Sequence, residues 1–556
     1  MPFGILEDRK LDSVPGTALL ATKGNQPTIG DASGLKRGTG KYSHIVLIPQ
    51  PSDDPCDPLN WPRWKKEVCF WMLVFTSSLS GTLTNFASSG FFSLAKEFRV
   101  SVDEVASSFC ASFAGTAVFL LLQLPISIKY GHRIVYLLSI ALMFMTCVWA
   151  ALSQNLVSIR ISRVFQGFGV AAGRCLIANT IEHLFFVHQR GSRSCMWIML
   201  QNIGITIGFL SNGYVIKLLS WRAGFWFASI ACGVCFIGVL LFVPETTYCR
   251  QLSPSTAGKE SVSEEHDLTE KMPTANHHVE PNVTSSSPAT LLSHLKIYNG
   301  TFSDASLWSL FLRPLPFIFS PVTWFAFFSV SVPSVCIIFI AVCSSTIFTV
   351  TYGFDAGQIG LITIGNIVAI ILALVFTGPL NDWWVVWMAR RNRGIYEPEY
   401  RLVFMLSMLF GVFGYLGWAI GNDHHMPWIG AVACLAMVSL SLVVSSSTVI
   451  AYVIDTHGAN ASHIVALSEC AVNLISFGAT FFANGVVLSA GVKRTLLVVA
   501  ACQAACWVTC IPMYVYGKRA RSFIARHPRL FPAHADLSPS ETPNLNLKPS
   551  ESRTQC

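Results

Sequence analysis

The sequence predicts an all-α membrane protein with twelve transmembrane helices in two groups of six, on the evidence of its composition and of the lengths of its apolar runs. Of the 556 residues, 52% are hydrophobic and 12% are charged, whereas soluble domains carry about 25% charged residues. The hydrophobic residues form runs close to the ~20 residues that a helix needs to cross a bilayer core. A polar segment divides these runs into two sets. The lipid bilayer is therefore the predicted surrounding of most of the chain.

The predicted organisation has two helical halves, 67–244 and 321–517, joined by the linker 245–320. The linker is rich in Ser, Thr, Glu and His, which is typical of a flexible connection. The tail 1–66 is rich in Gly, Ser, Thr and Lys in its first part, which favours disorder over most of it, and a second tail covers 518–556. The predicted spans are 68–92, 106–127, 134–153, 157–182, 195–219, 223–243, 322–350, 357–380, 402–421, 427–453, 464–488 and 495–516.

Basic residues in the short connectors predict that both tails and the linker lie in the cytoplasm. Lys129 and Arg133 follow the second helix, and Arg390 and Arg391 follow the eighth. Fewer Lys and Arg fall in the opposite connectors, so the positive-inside rule places these connectors in the cytoplasm. The net charge of +8 is therefore interpreted as a determinant of orientation. We expect no nucleic-acid partner.

The fourth predicted helix contains most of the charge found at membrane depth. Arg163 and Gln166 are three residues apart and share a helix face, and Arg174 follows on about the same face. A charged side chain costs roughly 2.5–3.5 kcal/mol at a helix centre on insertion scales, so each is a candidate functional group. For Arg163 two interpretations stay open. It either has a functional or gating role, or it is a buried hydrogen-bond donor to backbone carbonyls.

Neutral polar residues form a second layer of candidates. Asn85, Asn366 and Asn473 lie in the predicted first, eighth and eleventh helices. With Arg174 they are candidate residues of a substrate cavity, and packing between helices is the alternative for each. Glu469 is predicted near the cytoplasmic end of the eleventh helix, so no acid is expected at mid-depth.

Two function classes are disfavoured by what the helices contain. The 17 cysteines are scattered without metal-ligand spacing, and no HExxH motif or His/Asp cluster lies at helix depth. A membrane-embedded enzyme needs such a constellation. We therefore expect no enzyme activity, no metal site and no bound cofactor.

The segment from Gly378 to Leu402 is predicted to be a polar connector between the eighth and ninth helices. Asp382 follows the apolar run, and the basic residues Arg390 and Arg391 come shortly after it. An acid beside a cluster of arginines in a short connector fits a cytoplasmic hinge between two membrane helices.

These motifs together resemble the major facilitator superfamily. Gly378 and Asp382 match the family's G-x-x-x-D loop motif, whose acid is implied to hold the cytoplasmic gate closed. The copy after the second helix keeps Lys129 and Arg133, but Leu124 and Ile128 occupy its Gly and Asp positions. The R-x-x-Q-G motif of the fourth helix, in which the Arg is implied to support proton coupling, is matched by Arg163, Gln166 and Gly167.

The closer resemblance is to fungal transporters of the drug:proton antiporter branch, which includes polyamine-transporter-like and secondary-metabolite carriers. It rests on the segments 57–66, 129–133, 185–191 and 378–402. The fifth helix matches part of the antiporter motif through Gly204, Gly208 and Gly213.

The resemblance implies two six-helix bundles with a substrate site between them. It also implies outward movement of a small organic molecule, such as a drug, a toxin or a secondary metabolite, driven by the proton gradient. The expected location is the plasma membrane, and the expected state is monomeric. The alternative is a proton-coupled importer or a facilitator for a nutrient or a polyamine-like solute.

Overall fold

The structure is a computed structural model that describes residues 4–6, 14, 17–19, 57–247, 296, 300–302, 305–392, 395–457 and 460–527. The described part is helical almost throughout. Its only strands are the two-residue β1 (Ala18–Leu19) and β2 (Ile395–Tyr396), which pair antiparallel.

The first half of the chain contains seven helices separated by short connections. Their bounds are α1 Arg63–Thr84, α2 Phe91–Phe98, α3 Val102–Tyr130, α4 His132–Leu152, α5 Leu156–Leu184, α6 Val187–Leu218 and α7 Trp221–Phe242.

The second half begins after a short helix, α8. The bounds are α8 Leu307–Leu312, α9 Pro321–Tyr352, α10 Ala356–Arg391, α11 Pro398–Asp423, α12 Trp428–His457, α13 Ala461–Ala479, α14 Ala483–Ala490 and α15 Val492–Ala525.

Ten helical segments among the described residues are long and apolar enough to cross a membrane. The long helices α1 and α5 fall outside this set. α1 begins with four charged residues in its first five, and α5 contains three arginines. The charge that lowers the hydropathy of α5 is the same charge that marks it as a functional candidate. The prediction of an all-helical, multi-pass membrane protein is confirmed.

Packing is dense within each half. α5 contacts α1, α3 and α4, and α4 contacts α7; in the second half α11 contacts α12 and α15. The halves meet most extensively through α6 with α10 and through α3 with α13. α5 with α13 and α3 with α14 also contact each other across the halves. The helices have two ends. The near end is the one where α1 begins and α15 ends. The far end is the one where α3 begins and α6 ends.

Glycine permits the closest helix contacts. A Cβ on Gly167 of α5 would lie 2.1 Å from the carbonyl oxygen of Ser112 in α3, and one on Gly213 of α6 would lie 2.5 Å from that of Ala356 in α10. A Cβ at Gly204 would lie 2.3 Å from the Ser78 hydroxyl of α1. Gly204 and Gly213 therefore allow α6 to approach α1 and α10 closely.

The predicted polar connector after Gly378 is shorter than the sequence suggested. α10 continues through a π-helical turn, Phe376–Leu380, and ends only at Arg391. Trp384 and Trp387 of this stretch pack beside the buried Met388. Arg390 and Arg391 therefore lie in the last helical turn and not in a loop.

The first tail is not wholly detached from the helices, although its composition favoured disorder. Ile5 and Val14 are buried, and β1 pairs with β2 beside the end of α10. At the end of the linker, the Phe302 amide donates to the Lys129 carbonyl at 2.9 Å, and α8 packs on α3.

Candidate functional site

A charged pair joins the two halves of the chain. Arg174 of α5 donates through Nη1 to Glu469 Oε2 of α13 at 3.3 Å, and through Nη2 to the Thr84 hydroxyl of α1 at 3.3 Å. The side chains are 12% and 25% exposed. α13 begins at Ala461, earlier than predicted, so Glu469 lies more than two turns inside the helix. We call Arg174 and Glu469 the central pair.

Two amide side chains near the central pair have unsatisfied acceptors. Asn473 lies one turn beyond Glu469, and its Nδ2 donates to the Glu469 carbonyl at 2.7 Å. Within the described residues, the buried Oδ1 atoms of Asn473 and of Asn85, which follows Thr84, have no hydrogen-bond partner. Buried polar atoms are normally paired, so these acceptors are free to meet a ligand or water. Asn85, Arg174 and Asn473 are thus brought into one region.

The fourth predicted cavity residue lies elsewhere. Asn366 of α10 accepts a hydrogen bond from the Ser439 hydroxyl of α12 at 3.0 Å. This contact fits the packing alternative.

Arg163 is fully buried and binds backbone carbonyls at two helix breaks. Its Nε donates to the Phe109 carbonyl at 2.6 Å, where α3 is interrupted, and its Nη2 donates to the Leu83 carbonyl at 2.8 Å, at the end of α1. Its Nη1 also contacts Gln166, whose Nε2 lies 2.9 Å from Cys147 Sγ. Helix ends leave carbonyls without partners, and Arg163 supplies the donors. The geometry matches the second of the two interpretations left open by the sequence.

At the far end, an aspartate of the first half caps a helix of the second. Asp103 accepts hydrogen bonds from the backbone amides of Asn484 and Gly485, both at 2.8 Å, and from Asn484 Nδ2 at 3.0 Å. These amides begin α14 after the break that follows α13, where a carboxylate is favourable. We call this arrangement the outer contact. No local pattern predicts this contact, because Asp103 and Asn484 are 381 positions apart.

A second ion pair lies at the same end. Lys217 Nζ of α6 is 2.8 Å from Asp355 Oδ2, just before α10. The hydrogen bond from Lys217 holds the pKa of Asp355 below its usual value. Both side chains are more than two-fifths exposed, so the pair orients the helix ends more than it stabilises them.

At the near end of the first half, the two basic residues predicted for a gate contact the first half and the linker. Arg133 is buried, and its Nη2 donates to the Leu240 carbonyl at 2.9 Å. Lys129 Nζ donates to the Ala305 carbonyl of the linker at 3.3 Å. The acid here is Glu245, which accepts from the backbone amides of His132 at 3.0 Å and Arg133 at 3.2 Å. Glu245 therefore caps α4.

At the near end of the second half, the predicted gate residues are spread along α10. A Cβ on Gly378 would meet no atom within 4 Å. Arg390 is exposed, and the Arg391 guanidinium lies 4.2 Å from the Trp387 ring centroid. The side chain of Asp382 lies outside the described residues, so its predicted role stays a prediction.

The charges gathered at this end belong to α11 and α15. Arg521 Nη2 lies 2.8 Å from Glu397 Oε2 and 2.7 Å from Glu399 Oε2, and Lys518 Nζ lies 2.6 Å from Glu397 Oε1. The side chains of Arg521 and of both glutamates are at most 1% exposed. We call these four residues the inner carboxylate cluster. The sequence showed the two glutamates in EPEYR without indicating their partner.

The pKa of Glu397 reflects this surrounding. Burial raises this pKa, whereas the hydrogen bonds and positive charges of Lys518 and Arg521 lower it. The cations have the larger effect, so the pKa lies below the ordinary glutamate value of 4.5. Glu397 is therefore ionised at neutral pH.

No group of His, Cys, Asp and Glu in the described part of the chain is arranged to hold a metal ion. What the helices present instead is a charged pair between two halves and unsatisfied amides beside it. These features define a polytopic membrane protein with a polar site enclosed by apolar helices.

The class is that of membrane transporters. The model of the Major Facilitator Superfamily matches residues 70–483, and the chain belongs to this superfamily. The prediction that it is a transporter and not an enzyme is confirmed by this membership.

Relatives in fungi match most of the chain. Protein HOL1 of Saccharomyces cerevisiae is 25% identical over 93% of this chain and 96% of its own length. The efflux pump radE of Floropilus chiversii is 24% identical over 92% and 90%. The MFS-type transporter penM of Penicillium rubens is 24% identical over 74% and 77%. The resemblance to fungal transporters of this superfamily is confirmed.

Proposed function

We propose that this protein moves a small organic molecule across the membrane by alternating access, coupled to protons and directed outward. In this proposal the chain crosses the membrane twelve times. α1 together with α2 forms one span, α13 together with α14 forms another, and each of the other ten long helices forms one. They form two six-helix bundles, 67–244 and 321–517, joined by the linker 245–320. The near end faces the cytoplasm, and the protein works as a monomer in the plasma membrane. Similarity to an efflux pump supports the direction.

The observation that carries the proposal is the position of the central pair. An ion pair between halves resists their separation, and protonation of Glu469 removes its charge and releases Arg174. Proton binding and rearrangement of the halves are then linked through one contact. The free acceptors of Asn85 and Asn473 lie beside that contact and supply polar partners for a substrate.

In this proposal the residues of the R-x-x-Q-G motif have a positioning role. Arg163, which Gln166 contacts, binds the broken ends of α1 and α3, and α1 in turn presents Thr84 to Arg174. Gating is assigned to the outer contact at one end and, at the other, to Gly378, Asp382 and the basic residues near them. Asp382→Asn tests that assignment: unchanged transport at unchanged surface amount contradicts it.

The coupling claim is tested in inside-out vesicles under an imposed pH gradient. The substrate is first identified by growth of a deletion strain and an overexpressing strain on toxic compounds. Wild-type protein is expected to accumulate that compound inside the vesicles in response to an acidic interior. Glu469→Gln keeps downhill exchange and loses the response to the gradient, because it cannot change charge.

Glu182→Gln is the matched control, since Glu182 pairs with Arg190 at a half-exposed site on the same helix as Arg174. Gradient-driven accumulation at the wild-type level in Glu469→Gln contradicts the coupling claim. Loss of accumulation in both variants shows a general effect of removing a carboxylate and also contradicts it.

One observation favours the second candidate, a proton-coupled importer or facilitator of a polyamine-like solute. Glu469, Asn85 and Asn473 all offer acceptor oxygens, which suit a substrate rich in N–H donors. Radiolabelled amine uptake into whole cells separates the two candidates. Uptake that rises with external acidity favours the importer, and retention of amine in the deletion strain favours the exporter.

A further inference from the structure

The first tail binds the second half of the molecule at three separate points. Ile5 is 1% exposed and packs in a cluster with Met388 and Tyr400. The Leu6 amide donates to the Val515 carbonyl of α15 at 3.0 Å. Further on, β1 pairs with β2, with Ala18 opposite Tyr396 and Leu19 opposite Ile395.

A side-chain contact connects this segment to the inner carboxylate cluster. The Thr17 hydroxyl donates to Glu397 Oε2 at 2.9 Å and accepts from Arg521 Nη1 at 3.4 Å. The tail thus takes part in the hydrogen bonding of a cluster buried between α11 and α15. A tail that merely lay against the surface would not reach these atoms.

The strand that receives the tail is itself tied to another helix. The Tyr396 hydroxyl donates to Asp455 at the end of α12, and Arg401 Nε donates to the same carboxylate oxygen at 2.7 Å. Contacts of β1 with β2 therefore act on the connection between α10 and α11 and on its attachment to α12. This connection lies at the near end, which must open and close during alternating access.

The chain that leaves β1 at Leu19 continues into α1 of the first half. A segment covalently joined to the first half is therefore bound to the second. Because docking occurs within one chain, weak individual contacts are enough to keep the site occupied.

We propose that the first tail, through Ile5, Thr17 and β1, is a reversible ligand of the second half that controls transport. Its site is the apolar cluster of Met388 and Tyr400 together with the edge of β2 that pairs with β1. When docked, the tail holds the connection between α10 and α11 in the arrangement seen here. When it leaves, that connection is free to move, and transport turnover rises. Addition of a peptide strand to a sheet edge, with a pocket for one side chain, is a known mode of peptide recognition.

The test uses the full-length protein carrying Ile5→Asp and a synthetic peptide of residues 1–20. The charged side chain removes the tail from its pocket, and nothing in the helical core is altered. Fluorescently labelled wild-type peptide is expected to bind the Ile5→Asp protein at least about tenfold more tightly than the wild-type protein, whose site is occupied. A peptide that carries Ile5→Asp is expected to bind the Ile5→Asp protein at least about tenfold less tightly than the wild-type peptide does.

Hydrogen exchange and transport provide two further readouts. Amides of 395–407 are expected to exchange faster in the Ile5→Asp protein and to regain protection when wild-type peptide is added. Thr17→Val is a second variant that keeps the contact of Ile5 and removes only the hydroxyl. It is expected to raise the exchange rate of these amides less than Ile5→Asp does. Turnover is expected to rise in Ile5→Asp and to fall again with peptide.

Equal binding of the peptide to both proteins, or binding to neither, overturns the docking proposal. Unchanged turnover in the Ile5→Asp protein overturns the control of transport. The inference goes beyond the proposed transport function, but its last readout depends on it. Binding and exchange need no transported substrate, so they distinguish failure of this inference from failure of that function.

Discussion

At the near end, each half joins its third long helix to its last one through charged residues. The two halves arrange these charges in opposite ways. In the first half, Glu245 follows the last helix and accepts from the first amides of α4. In the second half, Glu397 and Glu399 lie at the start of α11, and the base, Arg521, lies in the last helix. The first arrangement satisfies backbone amides, whereas the second pairs fully buried side chains.

The difference teaches how the halves depend on their charges. A carboxylate on a helix N-terminus is stabilised by amides that any sequence provides. A buried carboxylate depends on one particular cation, because an isolated buried charge is very unfavourable. We therefore expect the second half to lose far more stability than the first when its charged residues are replaced.

The largest effect is expected from Arg521→Met. Removing Arg521 leaves Glu399 buried without its cation, and breaking a buried ion pair in this way costs about 3–5 kcal/mol. The measurement is thermal unfolding of the detergent-purified protein, with surface amount in cells as a second readout. Adding Glu397→Gln and Glu399→Gln to Arg521→Met should recover much of the loss. A stable single variant would show that the inner carboxylate cluster does not hold α11 to α15.

A smaller, pH-dependent effect is expected at Glu397. Its pKa is lowered in the folded protein, so its contribution to stability is complete above about pH 4.5 and disappears as the pH falls through the folded value. Glu397→Gln should make thermal stability less dependent on pH between neutral and pH 3.5. Glu182→Gln is the control because Glu182 is half exposed. A steeper dependence in Glu397→Gln would contradict the sign of the pKa shift.

A moderate effect is expected from Glu245→Ala. The amides of His132 and Arg133 lose a capping carboxylate, and loss of a helix cap costs about 0.5–2 kcal/mol. Thermal unfolding should show a shift clearly smaller than that of Arg521→Met. If the two shifts are equal, the contrast between the halves is wrong.

The smallest effect is expected from Lys129→Met. Lys129 donates to a linker carbonyl at 3.3 Å and remains partly exposed, so its contribution is about 0.5 kcal/mol, the low end for one hydrogen bond. Stability and transport should stay close to wild type. A severe loss of transport at normal stability would contradict this prediction and support the gating role that the resemblance implies for Lys129.

The apolar runs predicted where nearly every long helix lies, because burial in lipid requires about twenty apolar residues whatever the fold. The helix breaks near Asn85 and Phe109 were missed, since the carbonyls they leave are satisfied by Arg163 from another helix.

The candidate site was predicted in part. Arg174, Asn85 and Asn473 are brought near each other, but the acid between them was not assigned to the cavity. Glu469 and Arg174 are 295 residues apart, so no local pattern connects them. The inner carboxylate cluster was hidden for the same reason, and its glutamates looked like part of a loop motif.

The central claim is that the halves exchange contact at one end for contact at the other around the central pair. Pulsed electron resonance on nitroxides tests it directly, without knowledge of the substrate. One label pair at exposed far-end sites, Leu219 and Ser489, and one at near-end sites, Trp64 and Arg526, report the two openings. Asp103→Ala removes the outer contact. Asp423→Ala is the control, because Asp423 pairs with Lys493 inside the second half.

The account predicts that Asp103→Ala lengthens the far-end distance and shortens the near-end distance, and that Asp423→Ala changes neither. Lengthening at both ends, or no change at either end in Asp103→Ala, would contradict alternating access in this protein.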